Sequence, residues 1–514
     1  MRITIPICCA GILIGGLLHA QRISDLPTVA EASNWEATSH HKDVVAFCQE
    51  LAARSPLVHT EVVGHTSEKR SLPILVIADP PVSKPEEVGD RLVAFAWAGI
   101  HSGEVCGKPA TLMLAREMAG ASAHPLLEHL VVVLLPLLNA DGNDRMDKKN
   151  RRRQVGPVQG MGTRANAQGL NINRDWTKLD TTEARAVVSV LNRWDPAIAM
   201  DLHTTNGSRH GYVLTYDGQR HPACDDAVRK LTRYELLPDV TNSLEKYSGY
   251  KTYFYGNFRK RNTEWIIDPA LPRYSTHYVG LRHKISILSE AYSYASYPDR
   301  VMGTLAFVRH SFQWVADHRA AVRSTILSAK KRDTERGRQL AAGNLVPLRR
   351  ESELLKQTVG VWGFEGGKPK EFQVFYNDKS RATVSVRRPH AYLVPSKFTK
   401  ALDNLQAHGV RTEKIQSPTN LDVEVYRITA ASKARFDYEG HRLVRVQVER
   451  RQEKREIPTG TVLVRTAQSL GTLAAYLLEP QSEDGLCAWN FFDSDLRTGE
   501  DFPVLRVPSA PESK

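Results

Sequence analysis

Five short apolar runs, spaced along the first three-fifths of the chain, constrain its fold more than any other feature. They are Leu72-Pro-Ile-Leu-Val-Ile-Ala78, Leu92-Val-Ala-Phe-Ala-Trp97, Leu130-Val-Val-Val-Leu-Leu135, Ala197-Ile-Ala-Met200 and Ile285-Ser-Ile-Leu288. Runs of this length without polar alternation suit strands buried on both faces. Helical patterns separate them. Lys108 to Met118 has helical composition and stops at Gly120, a good C-terminal signal. Asp180-Thr-Thr-Glu183 resembles a capping box, followed by an apolar stripe at Ala184, Val187, Val188 and Leu191 and closed by Pro196. Strands alternating with helices predict an α/β domain with a mixed, largely parallel sheet and helices on both faces. Ligands in such sheets collect at the carboxyl ends of the strands.

Polar residues at those ends carry the chemistry. The second run leads into His101-Ser-Gly-Glu104, the third into Asn139-Ala-Asp-Gly142, the fourth into Asp201-Leu-His203 and the fifth into Ser289-Glu290. Imidazole and carboxylate are zinc ligands, and catalytic zinc commonly takes three protein ligands and leaves a fourth position open. His-x-x-Glu alone is weak: with 18 His in the chain, roughly one copy is expected by chance. His65-Thr-Ser-Glu68 is a second copy, and it reads as a polar hairpin turn. His101 draws its weight from the ordered company of His203 and Glu290. Asp201 reads equally as an orienting partner for a ligand or as a solvated acid.

These residues, in this order, resemble the carboxypeptidase A-like family of zinc metallocarboxypeptidases over roughly residues 40–310. The resemblance implies that one zinc ion is held by His101, Glu104 and His203. It implies that Asn173 and Arg174, in Leu170-Asn-Ile-Asn-Arg-Asp-Trp176, bind a substrate's terminal carboxylate. Arg164, in Gly162-Thr-Arg-Ala-Asn166, would polarise the scissile carbonyl, with Arg151 in the basic run Lys148–Arg153 as the rival. Glu290 would be the general base for a zinc-activated water. Tyr274 and Tyr278 are both candidates for a substrate-side tyrosine. The family's usual Asn-Pro-Asp-Gly turn is here Asn139-Ala-Asp-Gly142. The implied substrate is a peptide or peptide-like molecule with a free C-terminal carboxylate, and no nucleic-acid partner is expected. Two alternatives stay open: an amidohydrolase of cell-wall peptides or N-acyl amino acids, and a non-catalytic protein binding envelope polymers on the same fold.

Outside this region the sequence speaks of organisation. Arg2 and the apolar stretch Ile3–Leu18 read as a signal peptide, residues 1–20, cleaved near Ala20, so the protein is expected to be exported, periplasmic or secreted. The formal net charge of +12 favours contact with an anionic envelope. Beyond the signal, Cys48, Cys106, Cys224 and Cys487 have no zinc-knuckle or dense disulfide spacing, and one or two bridges remain open. Residues 21–330 are read as the catalytic domain and 331–357, rich in Arg, Lys and Glu, as a helical linker. Residues 358–514 are read as a smaller β-rich domain, because period-two alternation recurs at Phe372–Tyr376, Ala382–Val386, Val423–Arg427, Val444–Val448 and Gly460–Val464.

Overall fold

The computed structural model describes residues 23–120, 124–339, 341 and 343–509. The expected signal peptide and its cleavage point lie outside these residues. Ten strands form the first part: β1 Val58–His65, β2 Ser71–Ile77, β3 Leu92–Ala98, β4 Leu130–Leu135, β5 Ile198–Thr204, β6 Leu214–Gly218, β7 Thr252–Phe254, β8 Asn257–Arg259, β9 Glu264–Ile266 and β10 Ile285–Ala291. Eight of them make one sheet in the order β1-β2-β4-β3-β5-β10-β6-β7. The centre, β4-β3-β5-β10, is parallel, while β1 and β2 at one edge and β6 against β10 are antiparallel. The sheet is therefore mixed, as the sequence predicts.

Every residue of β3, β4 and β5 is buried, which requires cover on both faces. Helices supply it: Gly107–Gly120 and Tyr297–Asp317 pack on each other and on β3, and Ser275–Leu281 packs on β5, β6 and β10. Gly107 lets its helix sit close. A Cβ there would lie 2.8 Å from the Cβ atoms of both Ala98 and Leu202. The helix expected from Asp180 begins one residue later, with Thr181 as N-cap accepting from the Ala184 N–H at 3.2 Å. Asp180 is drawn away by Lys178 and His441.

The expected helical linker at 331–357 is corrected by the structure. The helix Arg319–Arg338 ends there, and Leu345–Glu353 is a strand paired antiparallel with Lys379–Arg387. The polar residues that give this stretch a helical texture lie on a two-stranded sheet, where Arg381 reaches Glu353 at 2.5 Å. The β-rich region beyond it contains the first four expected period-two strands whole, and the fifth, expected from Gly460, begins at Val462. It is not a separate bead. Lys368–Tyr376 pairs in parallel with β9, joining β8, β9 and Thr358–Glu365 in a four-stranded sheet. Val346, Leu348, Tyr392 and Leu473 belong to the same continuous core as β3 and β5. The four cysteines beyond the signal are buried and free. Among the described residues no helix is long and apolar enough to cross a membrane.

Candidate metal centre and substrate cleft

β3 ends at Ala98, and Gly99, with φ of 71°, turns the chain so that His101 and Glu104 face the carboxyl end of the sheet. β5 does not stop with its apolar run but continues through Asp201 and His203 to Thr204. In the parallel register of β5 and β10, Glu290 lies directly beside His203. Strand pairing alone thus brings together residues 87 positions apart in sequence (290 − 203).

The Glu104 carboxylate bridges the two imidazoles. Its Oε1 is 3.1 Å from His101 Nδ1 and its Oε2 is 2.9 Å from His203 Nδ1. The Thr204 N–H donates to the same Oε2 at 3.0 Å. One donor atom from each of His101, Glu104 and His203 lies within 4.8 Å of the others, and all three residues are buried. Among the described residues this is the one such group of three or more His, Cys, Asp or Glu. The competing His65–Glu68 copy sits in the β1–β2 hairpin, where Glu68 pairs with Arg70 and Arg145. That hairpin is tied down by Asp141 of the Asn139–Gly142 turn, which accepts from Thr66 Oγ1 at 2.6 Å.

The outer nitrogen of each imidazole has its own oxygen partner. His203 Nε2 is 2.9 Å from Asp201 Oδ2, which also accepts from Ser275 Oγ at 2.6 Å. His101 Nε2 is 2.9 Å from Asn171 Oδ1. An acceptor on Nε2 keeps the proton there and turns the Nδ1 lone pair toward the centre of the triangle, the side from which a metal would be bound; Arg164 Nη1 lies 3.1 Å from His101 Nδ1 on that side. Two nitrogens and one carboxylate oxygen, desolvated and pre-oriented, fit a tetrahedral zinc with one position left open. Asp201 is therefore an orienting partner rather than a solvated acid. Asn171 was not singled out by sequence, although it sits two residues before Asn173.

Electrostatics follow from burial and pairing. Burial pushes the His101 pKa down to about 4, against the pull of Glu104. For His203 burial also lowers it, but Asp201 and Glu104 prevail and raise it well above the usual value. Burial opposes the charge of Glu104, yet His101 and Arg151 hold that carboxyl well below the normal range. Glu290 behaves oppositely: burial raises it to about 8, and Glu104 adds to the rise against the pull of His203.

The cleft beside this triangle is lined by Arg164, Asn173, Arg174, Tyr274 and Glu290. Asn173 Oδ1 is consumed by the Trp176 indole at 3.1 Å and the Ser275 N–H at 3.0 Å, which turns its amide nitrogen toward His203 Nε2, 3.5 Å away. The Arg174 guanidinium lies 4.3 Å over the Tyr274 ring. Arg151 and Arg164 both approach Glu104 Oε1, at 2.9 and 3.5 Å. Arg151 is also committed to Gln154 Oε1 and to the carbonyls of Thr204 and Thr205. Arg164, with its side chain 42% exposed, keeps its fork at the cleft. Tyr278 belongs to the core, where its hydroxyl meets His408 Nδ1 at 2.7 Å. The cleft also holds residues that the sequence did not point to: Tyr255, Asp217, Arg220, Asp268 and His277. Asp217 lies in β6 and Arg220 just after it, Tyr255 lies between β7 and β8, Asp268 lies in the loop before the helix Ser275–Leu281 and His277 lies in that helix, and no local pattern marks them.

Residues 44–264 match the family model described as zinc carboxypeptidase. Carboxypeptidase 2 of Trichophyton tonsurans is 21% identical over 481 residues, covering 90% of this chain and 85% of that protein. Human carboxypeptidase D is 29% identical over 159 residues, covering 29% of this chain and 11% of that protein. The crystal structure of carboxypeptidase A from Helicoverpa armigera aligns at 17% identity with a TM-score of 0.43, covering 57% of this chain and 75% of that one.

Proposed function

We infer, because this chain belongs to the zinc carboxypeptidase family, that it hydrolyses the amide bond beside a free C-terminal carboxylate. One observation carries the reading. A single cleft joins the His101–Glu104–His203 triangle to Glu290 and to the paired amide and guanidinium of Asn173 and Arg174. A set of metal ligands, a base and a carboxylate receptor in one cavity are what removal of a C-terminal residue by a metal-dependent hydrolase requires.

His101, Glu104 and His203 would hold one zinc ion. Zinc in such a site acidifies water and polarises a carbonyl. Arg174 and the Asn173 amide nitrogen receive the terminal carboxylate. The planar guanidinium offers parallel charge-assisted bonds that an ammonium does not. This fixes the scissile bond between the ligand triangle and Glu290. Glu290, held high by burial, takes a proton from the attacking water at its carboxylate and returns it to the leaving amine. Arg164 donates to the carbonyl oxygen as negative charge develops there. Arg151 fixes Glu104 from the other side and braces the Thr204–Thr205 backbone.

The test is direct. Zinc-loaded protein is incubated with free-acid peptides, with the same peptides amidated at the C-terminus and with cell-wall peptide fragments, and product masses are recorded. Release of single C-terminal residues from the free acids only is expected. Cleavage of amidated peptides at equal rate would overturn the reading. We also propose export, from the basic and apolar N-terminal segment. N-terminal sequencing of protein recovered outside the cytoplasm should begin near Gln21.

A further inference from the structure

Two long strands of the C-terminal β region, Thr419–Lys433 and Val444–Ile457, form an antiparallel hairpin. Between them the chain makes a tight two-residue turn. Tyr438 and His441 exchange backbone hydrogen bonds at 2.7 and 3.1 Å, while Glu439 and Gly440 take φ of 51° and 80°. Both central residues at positive φ mark the turn geometry that matches strand twist. Glycine adopts it freely; glutamate does so at a cost of roughly 1–2 kcal/mol. A non-glycine residue held there calls for an explanation in what its side chain does.

Its side chain reaches the active-site segment. The Glu439 carboxylate accepts the Asn171 backbone N–H at 2.7 Å, across 268 residues of sequence. Asn171 is the residue whose side chain orients His101. Next to it, the Tyr438 hydroxyl accepts from Arg174 Nε at 3.0 Å. His441 Nε2 lies 2.7 Å from Asp180. Three residues of one turn thus grip the segment 171–180 that carries Asn173 and Arg174. The turn is itself braced from behind. The Tyr438 ring lies near-parallel to Trp489, and the Arg273 guanidinium is 5.2 Å from the Tyr438 ring and 4.9 Å from the Trp489 ring. Asp484 fixes Arg273 at 2.6 Å.

The contact constrains how Arg174 works. Its Nε is spent on Tyr438, and one Nη1 proton goes to the Asn173 carbonyl at 2.6 Å. Tyr274 covers one face of the guanidinium. The remaining N–H groups are at the Nη end, so a carboxylate must approach end-on. A guanidinium held at its root and on its face loses little freedom on binding, which lowers the entropic cost of recognition.

We propose that Tyr438 positions Arg174 for the substrate's terminal carboxylate, so that the C-terminal β region is a working part of the substrate site. The inference rests on the reading of Arg174 as the carboxylate receptor. Tyr438 touches no reacting atom; it acts through Arg174.

The test is Tyr438→Phe, which keeps the ring packed on Trp489 and Arg273 and removes the hydroxyl that faces both Arg174 and Arg273. Steady-state kinetics are measured on a panel of N-acetyl dipeptides covering all C-terminal residues. In parallel, calorimetry measures the affinity of the metal-free protein for the free amino acid of the best substrate. A five- to tenfold rise in KM is expected, with kcat within twofold, an equal loss of amino-acid affinity and an unchanged melting temperature. Unchanged KM and affinity in an active, folded variant would overturn this inference alone. Wild-type protein that releases no C-terminal residue from any peptide would overturn the reading of the site as well. A fall in kcat and melting temperature together, with KM constant, would make the turn a general brace and refute the positioning role.

Discussion

Asp201→Asn tests the orientation of the ligand set without touching a ligand. Asp201 is 1% exposed, and its Oδ2 lies 2.9 Å from His203 Nε2. Ser275 Oγ holds the same oxygen at 2.6 Å, so the replacement amide has no room to swing. Asparagine keeps the volume and an acceptor oxygen but removes the negative charge that makes His203 basic. Loss of such an outer partner typically weakens metal binding 10–100-fold, about 1.4–2.7 kcal/mol. The pH dependence carries a sign. The folded-state pKa of His203 is raised well above its usual value because Asp201 and Glu104 outweigh burial. Below that folded value a proton competes with zinc for His203 in the wild type. In the variant the proton is held less tightly. The apparent affinity loss is therefore smallest at low pH and reaches its full size once His203 is deprotonated in both proteins. Competition against a chromophoric chelator from pH 6 to 10 reads it directly. Equal zinc affinity at the alkaline end would refute the reasoning, as would a loss that shrinks as pH rises.

Replacing Glu290 by Gln should leave zinc content unchanged and lower kcat about 10²–10⁴-fold, the range for a general base; activity within about threefold of wild type would remove Glu290 from that role. The base must be ionised, so kcat/KM should fall as pH drops through the Glu290 pKa. That value is about 8 without metal, and a nearby divalent cation favours the carboxylate and lowers it. The acid limb should therefore lie between the ordinary glutamate value of 4.5 and about 8, and be absent from any residual activity of Glu290→Gln. Gly107→Ala should destabilise the fold by about 1–3 kcal/mol through overpacking, because its Cβ would meet Ala98 and Leu202 at 2.8 Å; equilibrium denaturation with an unchanged midpoint would contradict the close helix–sheet approach.

Much of the site was legible because strand ends advertise themselves. Apolar runs buried on both faces leave little choice of location for His101, His203 and Glu290, since a polar side chain ending such a run must lie at the sheet's rim. The pairing of β5 with β10 that sets Glu290 beside His203 is a tertiary fact that the order of motifs only suggests. The sequence favours Arg164 over Arg151 only through the resemblance of its Gly-Thr-Arg-x-Asn segment, since both lie in irregular loops; the structure adds that two backbone carbonyls claim Arg151. Asn171 was hidden because its role depends on an imidazole 70 residues away. The strand Leu345–Glu353 was hidden because its alternation is filled with Arg and Glu, which also suit a solvated helix. Tyr438 could not be found at all from sequence, being 264 residues from the arginine that it holds.

The central claim is that His101, Glu104 and His203 surround one catalytic zinc ion. A crystal structure of the zinc-loaded protein, with data collected on both sides of the zinc absorption edge, tests it most directly. The account predicts a single anomalous peak about 2.0–2.2 Å from His101 Nδ1, a Glu104 oxygen and His203 Nδ1, with Asn171 and Asp201 still bonded to the two Nε2 atoms. Zinc bound elsewhere, or two imidazoles turned so that Nε2 faces the ion, would contradict it.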